Sequence, residues 1–110
     1  MLNAYFCYMK KITRIWHGVT KSGYADEYLK FVEDSGMKDY RAVNGNLSAK
    51  ILRRVEGDLC HFLTVTEWDS YESIKLFAGE DFEKAKYYPG DEKYLLEFEE
   101  KVKHYETIEY

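Results

Sequence analysis

The side chains that could exchange a proton near neutral pH are the three histidines, His17, His61 and His104. Their spacing matches no HxxxH or HExxH pattern, so the sequence predicts no metal site. His17 is a candidate general base, although a hydrogen-bonded histidine at an interface is the interpretation we favour. Cys60 beside His61 is not a catalytic pair, because neighbours on a strand point to opposite faces.

Two arginines in the centre of the expected sheet are a second candidate for chemistry. Burying the guanidinium of Arg14 or Arg53 is costly unless it meets a carboxylate or an anionic ligand. Pairing with one of the glutamates is the favoured interpretation, and an anionic ligand is the alternative. No GxSxG, P-loop or GxGxxG motif is present.

The first element that must position these residues is a strand over residues 11 to 20, KITRIWHGVT, which is rich in β-branched and aromatic types. Strand alternation places its residues on two faces. One face carries Arg14, Trp16 and Gly18. The other face carries Thr13, Ile15, His17 and Val19. A helix should follow, with Ser22 as its cap and Gly36 as its end, before a turn at Asn44-Gly45. The apolar stripe of this helix is Tyr24, Tyr28, Phe31 and Val32.

Residues 47 to 68 predict two strands joined at Gly57-Asp58, a two-residue loop of the kind that closes a β-hairpin. If Glu56 pairs with Leu59, then the ladder places Leu47 opposite Trp68. One face then carries Leu47, Ala49, Ile51, Phe62, Thr64, Thr66 and Trp68. The other face carries Lys50, Leu52, Arg54, His61, Leu63, Val65 and Glu67. Neither face is uniformly polar, which indicates that helices cover one and a partner covers the other.

A second helix is predicted after the hairpin, starting at a capping box of Asp69 and Glu72 and ending at Gly79. Its apolar stripe is Tyr71, Ile74, Phe77 and Ala78. Residues 80 to 88 predict a further short helix, and residues 102 to 109 predict the last strand. The order strand, helix, strand, strand, helix, strand is typical of an α+β ferredoxin-like βαββαβ domain with an antiparallel four-stranded sheet. Its first and third strands should be central.

Composition excludes several classes of function. A length of 110 residues suits one domain, which we assign to residues 11 to 110, with residues 1 to 10 as a possible N-terminal extension. The net charge of -4 with interspersed signs argues against nucleic acid. No apolar run reaches the roughly 18 residues that span a bilayer, so no membrane association is expected. Two cysteines are too few for a disulfide framework and favour a cytoplasmic protein.

Three segments carry a family resemblance: ITRIWHGVT, ILRRVEGDLCHFLTVTEWDSYESIKLFAGED and KAKYYPGDEKYLLEFEEKVKHYE. Together they resemble the antibiotic biosynthesis monooxygenase family of the dimeric α+β barrel superfamily over residues 11 to 106. The resemblance implies a homodimer in which two bare sheet faces close as an eight-stranded barrel. It also implies a pocket between sheet and helices in each subunit. In oxygenases of that family an electron-rich aromatic substrate reacts with dioxygen in this pocket without flavin or metal, so the resemblance implies no cofactor.

The same resemblance suggests which residues line that pocket. The expected substrate-binding residues are Trp16, Trp68, Phe77 and Tyr88, with core packing as the alternative for both indoles. Relatives that degrade haem pair a first-strand asparagine and a third-strand tryptophan with a histidine that binds iron. Trp16 stands at the first of these positions and Lys86 or Tyr87 at the last, so haem binding is not expected.

Two functions of different classes are therefore open. The first is a cofactor-independent monooxygenase that acts on a small aromatic or quinol-like metabolite. The second is a non-catalytic dimer that binds or senses a small aromatic molecule in the same pocket. The absence of a convincing acid/base constellation favours the second.

We predict a homodimer, because the chain has no helix left to cover the second sheet face, and an exposed apolar face of that size is unusual for a monomer. Light scattering at micromolar concentration should give about twice the chain mass of 13.1 kDa. Leu63→Lys should split the dimer or unfold the protein. A wild-type mass near that of one chain would contradict the prediction.

Overall fold

A four-stranded antiparallel sheet organises residues 10 to 110, the part of the chain that the computed structural model describes. The strands are β1 (Lys11–Lys21), β2 (Asn46–Glu56), β3 (Leu59–Trp68) and β4 (Lys103–Thr107), in the order β2-β3-β1-β4. The helices are α1 (Ala25–Val32), α2 (Lys38–Ala42) and α3 (Tyr71–Ala78). The α+β ferredoxin-like fold, with β1 and β3 at the centre, is confirmed. The possible extension at residues 1 to 10 lies outside the described residues, except for Lys10.

The hairpin of β2 and β3 turns at Gly57, whose φ of 61° suits a glycine, and Glu56 pairs with Leu59 as predicted. The expected pairing of Leu47 with Trp68 is wrong. A β-bulge between Asn46 and Ser48 places Asn46 opposite Trp68, and it leaves Leu47 46% exposed. The side-chain amide of Asn46 donates to the carbonyls of Ser48 and Glu67, each at 3.2 Å, and so supports this irregular strand start.

The first helical region differs from the expectation at both ends. A short 3-10 turn, Ser22–Tyr24, leads into α1, and Ser22 makes no side-chain cap. Gly36 does not end the helix, because the chain continues through a π-helical turn, Glu33–Met37, into α2. Gly36 is buried near the rings of Tyr40 and Tyr88, so packing against the core outweighs its weak helix propensity.

The second helix, α3, ends at Gly79 as predicted, but its cap is not Asp69. The hydroxyl of Ser70 accepts a hydrogen bond from the Ser73 backbone N–H at 3.1 Å. Asp69 instead accepts hydrogen bonds from the hydroxyls of Ser70 and Ser73, at 2.9 and 2.6 Å. Ser70, one residue after the predicted Asp69, therefore caps α3.

The short helix expected over residues 80 to 88 does not form. Backbone hydrogen bonds of 2.8 Å join Ala85 to Glu100 and Val102 to Glu83, so this segment pairs with a later part of the chain. Long-range pairing has overridden the local helical pattern. Only a 3-10 turn, Asp91–Lys93, interrupts the irregular chain between α3 and β4.

The two faces of the sheet are covered unequally. Alternate β3 residues from Cys60 to Trp68 are buried on the face under the helices, which holds both core clusters. No helix among residues 10 to 110 lies over the opposite face. Val19, expected on the bare face, is only 4% exposed, because the chain at Leu95 and Leu96 pairs beside the end of β1.

Gly18 makes room for the Trp16 indole on the covered face. A Cβ added to Gly18 would lie 2.5 Å from Cζ2 of that indole and nearer still to Cη2. Gly18→Ala should therefore displace the ring and lower the free energy of unfolding by about 1–3 kcal/mol. Gly23→Ala is the control, since no atom lies within 4 Å of its added Cβ. Equal denaturation midpoints for the two variants would contradict this account.

Candidate functional site

A small cavity of about 30 Å³ lies between the sheet and the first helical region. Its walls come from β1, β3, the helices and the irregular segment after α3. The lining residues are Trp16, Tyr28, Val32, Ser35, Gly36, Tyr40, Thr64, Lys86, Tyr87, Tyr88 and Asp91. This volume suits one or two water molecules rather than an aromatic ligand. The cavity is therefore too small for an aromatic ligand in this structure.

Trp16 forms the sheet side of the cavity, as predicted for a residue on the covered face of β1. Its indole Nε1–H donates to the Tyr87 hydroxyl at 3.3 Å, and the two rings meet edge to face with centroids 6.3 Å apart. The Tyr87 hydroxyl in turn donates to the carbonyl of Glu99 at 2.7 Å. These hydrogen bonds hold Tyr87 over the cavity.

Tyr88 covers the cavity next to Tyr87. Its hydroxyl donates to Oδ2 of Asp39 at 2.7 Å, which ties the irregular segment to α2. Burial raises the pKa of the Tyr88 phenol, and the carboxylate of Asp39 raises it further. Tyr88 is thus a neutral hydrogen-bond donor at physiological pH.

Asp91 supplies a buried carboxyl group to the cavity. Its Oδ1 accepts from the Tyr28 hydroxyl at 2.8 Å, and its Oδ2 accepts from the Tyr88 backbone N–H at 2.6 Å. Burial raises the pKa of the Asp91 carboxyl above its usual value, while these two hydrogen bonds act in the opposite direction. Asp91 was not among the residues predicted from the sequence, where its only local signal is its place directly after Pro89-Gly90.

Lys86 brings a positive charge to the same cavity. Its Nζ lies 4.5 Å from the ring centroid of Phe77 and 5.6 Å from that of Tyr88. Its hydrogen-bond acceptor is the carbonyl of Phe77 at 3.4 Å. Within residues 10 to 110 it forms no salt bridge. This ammonium can therefore stabilise negative charge on a bound molecule.

The structure brings together two of the four predicted substrate-binding residues, Trp16 and Tyr88. Trp68 is fully buried in a second core cluster, where its indole N–H donates to the Thr66 hydroxyl at 2.8 Å. Phe77 belongs to that cluster and contacts Tyr40, with ring centroids 4.6 Å apart. Trp68 and Phe77 thus pack behind the cavity wall that Tyr40 forms.

His17 lies on the open face of the sheet, away from the cavity. Its Nδ1 is 2.6 Å from Oε2 of Glu99 and its Nε2 is 3.1 Å from Nδ1 of His61. Nε2 of His61 is 3.0 Å from Oε1 of Glu56. The four residues form a hydrogen-bonded row beside a groove of about 300 Å³. As placed here, His17 is not within reach of a ligand in the cavity.

The expectation that glutamates neutralise the two sheet arginines is wrong. Arg53 pairs with Asp26 at 2.9 Å. Arg14 donates to the carbonyl oxygens of Phe82 and Lys84 and makes no salt bridge with residues 10 to 110.

Neither a metal site nor a membrane-spanning helix is found in residues 10 to 110. From Lys10 to the C-terminus, no three His, Cys, Asp or Glu side chains converge in a way that could hold a metal ion. No helix in that part of the chain is both long enough and apolar enough to cross a bilayer.

Tyr28→Phe should destabilise the protein by about 1–3 kcal/mol, because the buried Asp91 carboxylate loses a donor. That hydrogen bond lowers the pKa of Asp91, so its loss raises the pKa further in the folded state. The destabilisation should therefore be larger at pH 7, where Asp91 is ionised, than in acid, where it is protonated. Denaturation across pH measures this, with Tyr24→Phe as the exposed control. A pH-independent difference would contradict the assignment.

Comparisons with known proteins show which proteins share the fold of this chain, but they do not show its family. No family model matches the chain, and no curated protein matches it. Among solved structures, a conserved protein from Methanosarcina mazei Go1 is 14% identical with a TM-score of 0.66, over 94% of this chain and 99% of that one.

Two other solved structures are assigned as monooxygenases. One, from Bacillus cereus, is described as an antibiotic biosynthesis monooxygenase and is 13% identical, with a TM-score of 0.60 over 92% of this chain and 96% of that one. The other is the monooxygenase from the gene ActVA-Orf6 of Streptomyces coelicolor, in complex with Nanaomycin D. It is 14% identical, with a TM-score of 0.59 over 92% of this chain and 89% of that one. The chain therefore shares its ferredoxin-like α+β fold with these proteins.

Proposed function

We propose that this protein is a cofactor-independent monooxygenase that acts on a small aromatic or quinol-like metabolite bound between the sheet and the helices. The observation that carries the proposal is the cavity, where aromatic walls surround a buried carboxyl group, Asp91, and an ammonium group, Lys86. The fold shared with monooxygenases supports the same assignment.

An aromatic substrate needs a larger volume than the roughly 30 Å³ of the cavity in this structure. Tyr87 and Tyr88 lie in a segment without regular helix or strand, and side-chain hydrogen bonds to Glu99 and Asp39 hold them in place. An outward shift of this segment would break the hydrogen bonds of Tyr87 and Tyr88 and would open the cavity beside Trp16. Loops that close over a substrate commonly exclude water in this way.

The two charged groups have complementary roles in the proposed reaction. Asp91 removes a proton from an activated substrate methylene, and a raised pKa suits it to this task. The Lys86 ammonium stabilises the resulting carbanion or enolate. This anion transfers one electron to dioxygen, and the two radicals combine to form a C–O bond in a peroxide.

The peroxide then collapses to a carbonyl. Asp91 returns its proton to the terminal oxygen of the peroxide, and the O–O bond breaks with loss of hydroxide. The second methylene hydrogen leaves as the proton that converts this hydroxide into water. The overall change converts CH₂ and O₂ into C=O and H₂O. All four electrons come from the substrate, so the balance requires no external reductant.

The open sheet face supports the homodimer that we also propose. Leu52 is 49% exposed there, and Leu63 and Val65 are only partly buried. A second copy would remove these apolar side chains from water. Val19 would contribute little, because it is already buried within its own chain.

A non-catalytic binding dimer is the second candidate. The observation that favours it is the state of Asp91, which already accepts two hydrogen bonds, while His17 and His61 lie on the other sheet face. In that case the cavity would bind the same aromatic molecules without turnover.

Oxygen consumption with a panel of anthrone-like and quinol substrates tests the proposal, and ¹⁸O₂ should label the new carbonyl. Asp91→Asn should lower kcat by about a hundredfold or more, because it removes the base. Lys86→Met should also lower kcat. Asp81→Asn and Lys101→Met are exposed controls that should retain activity. A panel member that quenches tryptophan fluorescence without accelerated oxygen uptake would favour the binding dimer instead.

A further inference from the structure

Arg14 is a buried cation whose neighbouring polar groups are two backbone carbonyls and the Tyr40 phenol, with no carboxylate in a salt bridge to it within residues 10 to 110. The residue is 2% exposed, and its guanidinium lies 5.3 Å from the ring centroid of Phe77. Nη2 donates to the carbonyls of Phe82 and Lys84 at 3.5 and 3.4 Å, which are long distances, and Nε has no partner among residues 10 to 110. A buried guanidinium in this state is costly, since it has five donors and no compensating anion.

His104 leaves a second buried nitrogen without a partner in the same place. It is the direct cross-strand neighbour of Arg14, so both side chains lie on the same side of the sheet. Its Nε2 is buried and has no hydrogen-bond partner in the described chain. Burial and the charge of Arg14 lower the pKa of His104 to about 4, so the ring is neutral at pH 7.

A cleft of about 420 Å³ runs along this part of β4 and includes His104 in its wall. Tyr71 and Phe82 give it an aromatic side, with ring centroids 5.9 and 5.2 Å from that of His104. Lys103 and Glu83 are the charged residues of the wall. The volume suits a ligand of one or two aromatic rings.

We propose that this cleft binds a planar aromatic carboxylate, whose two oxygens accept hydrogen bonds from Nε of Arg14 and Nε2 of His104. Arg14 is not part of the cleft wall, but it is the cross-strand neighbour of His104, and each residue has one unpartnered nitrogen to offer to a carboxylate oxygen. The ligand's negative charge would also compensate the buried guanidinium. The ligand ring stacks against Tyr71. Phe82, whose ring and carbonyl contact His104 and Arg14, turns aside to admit it.

This site is distinct from the cavity of the proposed oxygenase. The cleft and the cavity have no lining residue in common. The inference therefore does not rest on the proposed function, and its test measures binding rather than turnover.

Titration of the isotope-labelled full-length protein with benzoate, followed by NMR, tests the proposal. Benzamide has nearly the same shape without the charge, and we expect it to bind about tenfold more weakly or worse. The carboxylate should raise the pKa of His104 from about 4. The His104 ring should then take up a proton at about pH 5.5 only when benzoate is bound. Equal affinities for benzoate and benzamide, or an unmoved His104 resonance, would overturn the proposal.

Arg14→Met separates a binding role from a structural one. The variant keeps an apolar stem and removes an uncompensated buried charge, so the ligand-free protein should melt at or above the wild-type temperature. Its affinity for benzoate should fall by about tenfold to a hundredfold. Arg53→Met, which removes a surface arginine paired with Asp26, should bind benzoate as wild type does.

His104→Gln provides an independent variant and should also weaken benzoate binding several-fold. Unchanged benzoate binding in both His104→Gln and Arg14→Met would refute the site. A destabilised Arg14→Met protein that still binds benzoate would assign Arg14 to the fold alone.

Discussion

The arrangement of the chain on the helix side of the sheet depends on the hydrogen bonds that the buried carboxyl group of Asp91 accepts. It accepts hydrogen bonds from Tyr28 in α1 and from the backbone of Tyr88, and so joins a helix to the irregular chain that covers the sheet. Low-dielectric surroundings strengthen such bonds, but they also make each one costly to lose. Asp91 therefore holds the segment that covers the cavity, and it is also the group best suited to accept a proton inside the cavity.

The unequal covering of the sheet divides the titratable groups into two sets. Asp91, Lys86 and the tyrosines lie on the helix side, while His17 and His61 lie in a row on the open side with Glu56 and Glu99. Strand alternation imposes this division, because Trp16 and His17 are neighbours in sequence and cannot face the same layer. Any chemistry in the cavity must therefore use carboxyl, ammonium and phenol groups.

Strand patterns in the sequence were enough to predict the sheet and the hairpin register from the turn up to the bulge between Asn46 and Ser48, because alternation and the Gly57-Asp58 turn are local signals. Trp16 and Tyr88 line the cavity, and both were expected at a pocket through the family resemblance. Trp68 and Phe77 do not line the cavity, because they pack with Tyr40 in a second core cluster. Tyr40 lies in the continuation of the helix past Gly36, which the sequence did not predict. Asp91 and the pairing of Ala85 with Glu100 arise from contacts between distant segments, which no local pattern encodes.

The π-helical turn Glu33–Met37 changes the rotational phase of the residues that follow it. One extra residue in a helical turn rotates every later side chain by about 100° relative to an uninterrupted α-helix. Tyr40 can therefore contact Thr64, Trp68 and Phe77 while Tyr28, one element earlier, contacts Phe62. Loss of a single residue here would preserve helicity and turn Tyr40 away from the sheet. The π-helical turn thus allows one short helical region to pack against two separate core clusters.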